Sequence, residues 1–102
     1  MEDDGYGYTA LHWASEKGKD AVATQFVKAN ANVNAVTNSV YTPLHLAAIC
    51  GNAIVADLLL GTRANPKAAN KIGETPAQYA EQQGHRELEE RLRQAESRVA
   101  ST

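Results

Sequence analysis

A six-residue phrase returns at a fixed interval. It reads Thr9-Ala-Leu-His-Trp-Ala14, then Thr42-Pro-Leu-His-Leu-Ala47, then Thr75-Pro-Ala-Gln-Tyr-Ala80, each 33 residues after the last. A glycine keeps the same beat at Gly18, Gly51 and Gly84. One supersecondary unit is therefore written three times. Such a unit cannot bury its apolar faces alone, so the expected architecture is a stack in which each repeat leans on its neighbours.

The middle copy is the clearest. Thr42 suits a helix N-cap, and Pro43 fits the first helical position, where its missing N–H costs nothing. Leu44, Leu46, Ala47 and Ala48 predict a short helix that Gly51 ends. Val55, Leu58, Leu59 and Leu60 predict a second helix with a broad apolar face. Asn65-Pro-Lys67 then leads into an extended turn at Asn70-Lys-Ile-Gly73. Helices of two or three turns are marginal in isolation, so the pair must pack on another pair.

The first copy follows the same plan, with a helix over 10–17, a break at Gly18 and a second apolar face at Val22, Phe26 and Val27. The third keeps Thr75, Pro76, Leu88 and Leu92 but departs on one side. Where earlier copies have Ala23 and Ala56, then Val27 and Leu60, it has Glu89 and Arg93. Those charges predict a wetted outer face and a terminal cap, on a helix running past residue 93 with only Ala95 and Val99 as apolar continuation. By contrast, the first copy has no polar replacement at Val22, Ala23 and Phe26. Its open side is a possible contact at the amino-terminal end of the stack, either with further repeats or with another subunit.

Composition narrows the function. A formal net charge of −2 over 102 residues argues against direct nucleic-acid binding or an anionic membrane surface. Basic residues pair with acids, as in Glu87–Arg91 and Glu89–Arg93, which reads as a solvated helix face rather than a catalytic carboxylate pair. The single cysteine excludes an intramolecular disulfide and fits a reducing compartment. The acidic start Met1-Glu-Asp-Asp4 has no apolar stretch behind it, so neither a secretory leader nor membrane insertion is expected.

The 33-residue period and the Thr-Pro-Leu-His-x-Ala phrase resemble the ankyrin repeat. Asp4-x-x-Gly7-x-Thr9, Leu59-Leu60 and Ala31-Asn-Val-Asn34 extend the resemblance over nearly the whole chain. It implies an all-α solenoid of three helix-turn-helix repeats with β-hairpin fingers, at approximately 4–36, 37–69 and 70–102 of a single domain 1–102. It also implies a non-enzymatic module that binds another protein through a concave face of fingers and first helices, in the cytoplasm or nucleus. Three departures stand out. Val40 replaces the turn glycine found as Gly7 and Gly73, and a β-branched residue resists positive φ, so this finger is expected to turn differently. Asn30 and Arg63 replace the glycine after the second helix. Gln78 replaces His12 and His45, which predicts weaker local hydrogen bonding.

The candidate sites follow. His12 and His45 invite a metal reading, but stacked helices lie ~8–10 Å apart, too far to share a zinc about 2 Å from each nitrogen. The resemblance gives them a structural role instead, bonding to turn backbone. His85 reads as a lone exposed residue. Cys50 has no neighbouring base, so a thiol- or metal-dependent activity around it is the weaker alternative, and no cofactor is expected. Mapped residue by residue, the family's variable contact positions fall on Tyr6, Tyr8, Glu16 and Lys17. They continue at Asn38, Ser39, Tyr41, Ile49 and Cys50, and at Lys71, Ile72, Glu74, Gln82 and Gln83. Of these, Tyr6, Tyr8, Tyr41, Ile49 and Ile72 are expected exposed, as interface anchors tend to be. Trp13, Leu46 and Tyr79 share one position and are expected half-buried in the stack, Trp13 being the exception to watch because its repeat lacks one neighbour. The runner-up reading is a regulatory or stacking segment of a larger repeat protein or oligomer.

Overall fold

Threonine begins the first helix of every repeat, and in each case the physical reason is the same. The computed structural model describes residues 7–100, with side chains to residue 98. The helices are α1 (Ala10–Lys17), α2 (Asp20–Lys28), α3 (Pro43–Cys50), α4 (Ala53–Leu60), α5 (Pro76–Gln82) and α6 (Arg86–Ala100). Thr9, Thr42 and Thr75 each accept, through Oγ1, the backbone N–H three residues on. The residue at that position reaches back to accept the threonine N–H: His12 Nδ1 at 3.0 Å, His45 Nδ1 at 3.1 Å and Gln78 Oε1 at 2.9 Å. Two otherwise orphaned donors are satisfied at each helix start.

The first helices stack on one another, α1 on α3 and α3 on α5, while α2 packs on α4 and α6 on α5. Alanines permit the close approach. Ala14, Ala23, Ala47, Ala48, Ala56, Ala77 and Ala80 are all fully buried. Leu11, Leu44, Leu59 and Leu92 fill the space between them, each such side chain contributing about 1.5–3 kcal/mol of hydrophobic stabilisation. The core therefore runs the length of the stack as one cluster.

Gly51 ends α3 in the left-handed conformation, φ 72°. It is also where His85 of the next repeat docks: a Cβ here would lie 2.6 Å from the His85 ring. Positive φ and close approach both demand glycine.

The fingers contain no strand among the described residues. The two that lie wholly within the described residues are hydrogen-bonded turns. Thr37 N–H donates to Tyr41 O and Val40 N–H to Thr37 O; one repeat later, Asn70 N–H donates to Glu74 O and Gly73 N–H to Asn70 O. The two turns are thus alike, which corrects the expectation for Val40. It adopts φ 66°, beside 77° at Gly7 and 84° at Gly73. The finger turns in the same way and carries the strain of a β-branched residue in the left-handed region. Asn30 and Arg63 also take positive φ, 66° and 77°, so both stand in for glycine conformationally.

Candidate protein-binding surface

His12 and His45 join one repeat to the next. Nδ1 of each serves its own threonine cap, while Nε2–H donates to a backbone carbonyl in the following finger: Tyr41 O at 2.8 Å from His12 and Glu74 O at 2.9 Å from His45. Both ring nitrogens are committed, which holds the neutral imidazole tautomer. Burial drives both pKa values below the ordinary 6.5, with the carbonyl bonds opposing. The expected structural role is therefore seen in the hydrogen bonds. Gln78 keeps the capping half of this arrangement, and its described bonds stay within its own helix start.

Further cross-repeat bonds come from residues for which no joining role was expected. Asn52 Nδ2 donates to Ser15 O at 2.7 Å and Glu16 O at 3.1 Å, capping the carbonyl end of α1 from the next repeat. His85 does the same for α3, donating through Nε2 to Ile49 O at 3.3 Å. It is half-buried rather than exposed, which corrects the sequence expectation. Asn34 accepts Asn65 N–H at 2.8 Å and donates to Arg63 O at 3.1 Å. The only foreshadowing is positional: Asn34 sits at the end of the repeat phrase, and Asn52 and His85 each follow a repeat glycine.

The five residues expected to be exposed anchors behave differently from one another. Ile72 is 75% exposed at the tip of its finger. Tyr8 is half-buried, stacked on the His12 ring, and its hydroxyl donates to the Glu16 carboxylate. Tyr41 is half-buried as well. Its ring meets His45 edge-on, and its hydroxyl lies 2.9 Å from that of Tyr79. Ile49 is half-buried, and Tyr6 lies outside the described residues. Tyr41 is thus engaged in joining one repeat to the next, and Tyr8 is engaged within its own repeat.

Around Tyr79 the polar groups converge. Asn70 Nδ2 donates to the Tyr79 hydroxyl at 2.8 Å, and Asn70 Oδ1 accepts Ile72 N–H and Glu74 N–H. Hydrogen bonding by the Tyr79 hydroxyl, then by Gln82, holds the Glu74 carboxyl below its usual range. Burial, followed by its bonds to Glu74 and Tyr41, raises the Tyr79 phenol. This cluster stiffens the finger of the third repeat against α5 and leaves Lys71 and Ile72 projecting from it.

Lys17, Asn38, Ser39, Cys50, Lys71, Gln82 and Gln83 are exposed, and Glu16 and Glu74 are half-exposed. Lys71 N–H donates to Ser39 O at 3.2 Å, so the two fingers sit side by side. The Cys50 thiol is pushed up by partial burial and then by Glu16, which disfavours the reactive thiolate. Among the described residues, no three His, Cys, Asp or Glu side chains gather as a metal site would require. No described helix is long and apolar enough to cross a membrane.

On the outer side of the third repeat, Arg93 pairs with Glu89 at 2.8 Å and Glu81 at 3.1 Å. The Glu89–Arg93 pair was expected. Arg91 instead reaches across to Asp57 at 2.6 Å in the second repeat.

Comparison with known families agrees with this architecture. The ankyrin repeat model matches residues 6–38, and the model for ankyrin repeats in many copies matches residues 27–80. The chain belongs to the ankyrin-repeat family. Such repeats generally mediate protein–protein interaction and are typically non-catalytic. ARF GTPase-activating protein GIT2 of Rattus norvegicus is 49% identical over 51 residues, 50% of this chain. ARF GTPase-activating protein GIT1 of Homo sapiens matches to the same extent. Alpha-latrotoxin-Lg1a of Latrodectus geometricus is 35% identical over 96 residues, 92% of this chain. The chain spans about 7% of the length of each of these relatives.

Proposed function

We propose that this ankyrin-repeat chain is a non-enzymatic binding module. It takes a protein partner along the surface formed by its finger turns and by α1, α3 and α5, in the cytoplasm or nucleus. The finger turns close as hairpins do, without strand pairing, and the repeats divide at approximately 4–36, 37–69 and 70–102 of one domain, the last acting as its carboxyl-terminal cap. The carrying observation is Ile72. A large aliphatic side chain, 75% exposed, is presented on a turn held by Asn70, beside Lys71 and next to the neighbouring finger. A preorganised surface of this kind loses little entropy on docking, and one apolar anchor can supply much of the affinity.

Ile54 supplies the control, because it is 68% exposed on α4, away from the fingers. Once a partner has been isolated, Ile72→Asp is expected to weaken it at least ~10-fold, the 1.4 kcal/mol typical of an anchor. Ile54→Asp is expected to leave it unchanged. Calorimetric titration in which Ile54→Asp has the larger effect would move the binding surface to the second-helix side.

A second reading, a stacking segment of a larger repeat assembly, is favoured by the exposed apolar side chains at the amino-terminal end of the stack.

A further inference from the structure

Arg63 takes φ 77° just beyond the end of α4. The turn that closes the helix requires it: Thr62 N–H and Ala64 N–H both bend back to Leu59 O, at 3.0 and 3.2 Å. Glycine would meet this conformation without cost, whereas an L-residue is strained in it. The backbone therefore gains nothing from an arginine here, and strained positions that persist tend to gather at binding sites. The loop is also firmly held. Asn34 of the preceding repeat donates to Arg63 O and accepts Asn65 N–H, so the arginine side chain starts from a fixed point.

Arg63 borders two grooves. One, of about 400 Å³, sets Val27, Ala31 and Val33 beside it. The other, of about 450 Å³, sets Leu60, Ala64, Pro66 and Ala95 beside it, together with Arg98. Neither groove has an acidic residue in its lining. Arg91 and Arg93 are different, because carboxylates hold both of them. Among the described residues no carboxylate pairs with Arg63. No lining residue of either groove belongs to a finger turn or to α1, α3 or α5, so this face is separate from the one that carries Ile72.

Charge and apolar surface together select the occupant. Aliphatic floors favour aliphatic side chains. A planar guanidinium grips a carboxylate through two parallel N–H bonds. Nucleic acid would need a broader basic footprint than a chain of net charge −2 provides.

We propose that the two grooves flanking Arg63 take an acidic, aliphatic peptide segment of a partner protein, with a carboxylate on the Arg63 guanidinium and aliphatic side chains on the groove floors. The inference is independent of the finger surface, since no residue is shared between the two faces.

The test uses a fluorescein-labelled hexapeptide of alternating Leu and Glu, read by anisotropy with the full chain. The Leu–Glu peptide is expected to bind, and the same peptide with Gln for every Glu to bind at least ~10-fold more weakly, as the loss of a charged hydrogen bond implies. Arg63→Gly is expected to weaken the Leu–Glu peptide by a similar factor while Tm does not fall, because glycine relieves the backbone. Arg63→Lys, which keeps the charge and loses the fork, is expected to fall between them. Ile72→Asp is expected to leave binding unchanged. In amide NMR spectra the peptide should shift Ala31, Val33, Ala64 and Ala95 and leave Ile72 in place. The proposal is overturned if the Leu–Glu peptide does not bind, if the Gln peptide binds equally well, or if Arg63→Gly binds like the natural chain. Shifts centred on Ile72 would overturn it too. A lower Tm for Arg63→Gly would make the arginine structural and overturn it as well. Binding by a Leu–phosphoserine peptide alone would assign the grooves to phosphate and refute the carboxylate occupant.

Discussion

Val55 and Val22 are the same amino acid at the same point of the repeat, yet one is sealed between two repeats and the other stands 37% exposed. Leu59 and Phe26 repeat the contrast, and so do Ala56, fully buried, and Glu89, which reaches Arg93 at the surface. The inner joints and the outer faces of this stack are built from the same sequence register. They differ in whether a neighbour is present, and that decides how much a residue stabilises the fold. Position within the repeat states which way a side chain points. Position within the stack states what it contributes.

The largest expected effect sharpens that contrast directly. Leu59→Ala empties a fully buried site and should cost about 2–5 kcal/mol in urea unfolding. Phe26→Ala removes more atoms, but from a half-buried ring, and should cost only about 1–2 kcal/mol. Equal losses would show that the first repeat's outer face is already as well packed as the inner joint.

A polar version of the comparison sets His45 against Gln78. Gln78 shows what glutamine supplies at this position: the threonine cap, bonded at 2.9 Å. His45→Gln should therefore preserve the start of α3 and lose the bond to Glu74 O. Glu74 O keeps the Asn70 N–H, so the loss is that of one hydrogen bond, about 0.5–1.5 kcal/mol. The same substitution has a pH signature. Burial lowers the His45 pKa below 6.5 and the Glu74 and Ala68 carbonyls only partly offset it, so the folded protein holds the neutral ring where the unfolded chain takes a proton. Stability from this group is complete above about pH 6.5 and is lost as pH falls through the folded value. His12 contributes in the same direction. Thermal melts should show Tm falling on acidification from pH 7, and His45→Gln should flatten the slope. An unchanged slope would place the acid sensitivity elsewhere.

Much of the fold was legible because its signals are local. Thr42 with Pro43 marks a helix start and Gly51 a helix end within a few residues. What escaped has partners a repeat away. Nothing near Asn52 in the chain indicates that it caps α1, because Ser15 and Glu16 reach it only once the repeats stack. Tyr41 reads as an exposed anchor until Tyr79 of the next repeat arrives beside it. Arg91 finds Asp57 rather than Glu87 for the same reason. The candidate surface was legible as a set of positions through the family resemblance. Which of those side chains stand free depended on the joints, and Ile72 does so because the Asn70 turn points it away from them.

Val40 is where a local rule gave way to the stack, and it yields the smallest and most directional prediction. Its finger repeats the two backbone bonds that close the Gly73 finger. Thr37 closes one turn as Asn70 closes the other, and Ser39 O holds Lys71 N–H between them. These contacts impose the left-handed conformation on whatever residue sits there. An L-residue pays about 1–2 kcal/mol for it, and a β-branched one is an outlier even among those. Glycine avoids that strain and gives back roughly 0.5–1 kcal/mol of unfolded-state entropy. Val40→Gly should therefore stabilise the chain by about 0.5–1 kcal/mol, while Gly73→Val should destabilise it by a similar amount or more. Opposite signs at these two positions would show that the fingers share one backbone requirement that only one of them meets with the right residue. If Val40→Gly proves destabilising, the half-buried valine side chain contributes more through packing than its backbone loses to strain, and the two fingers are held by different forces despite their matching bonds.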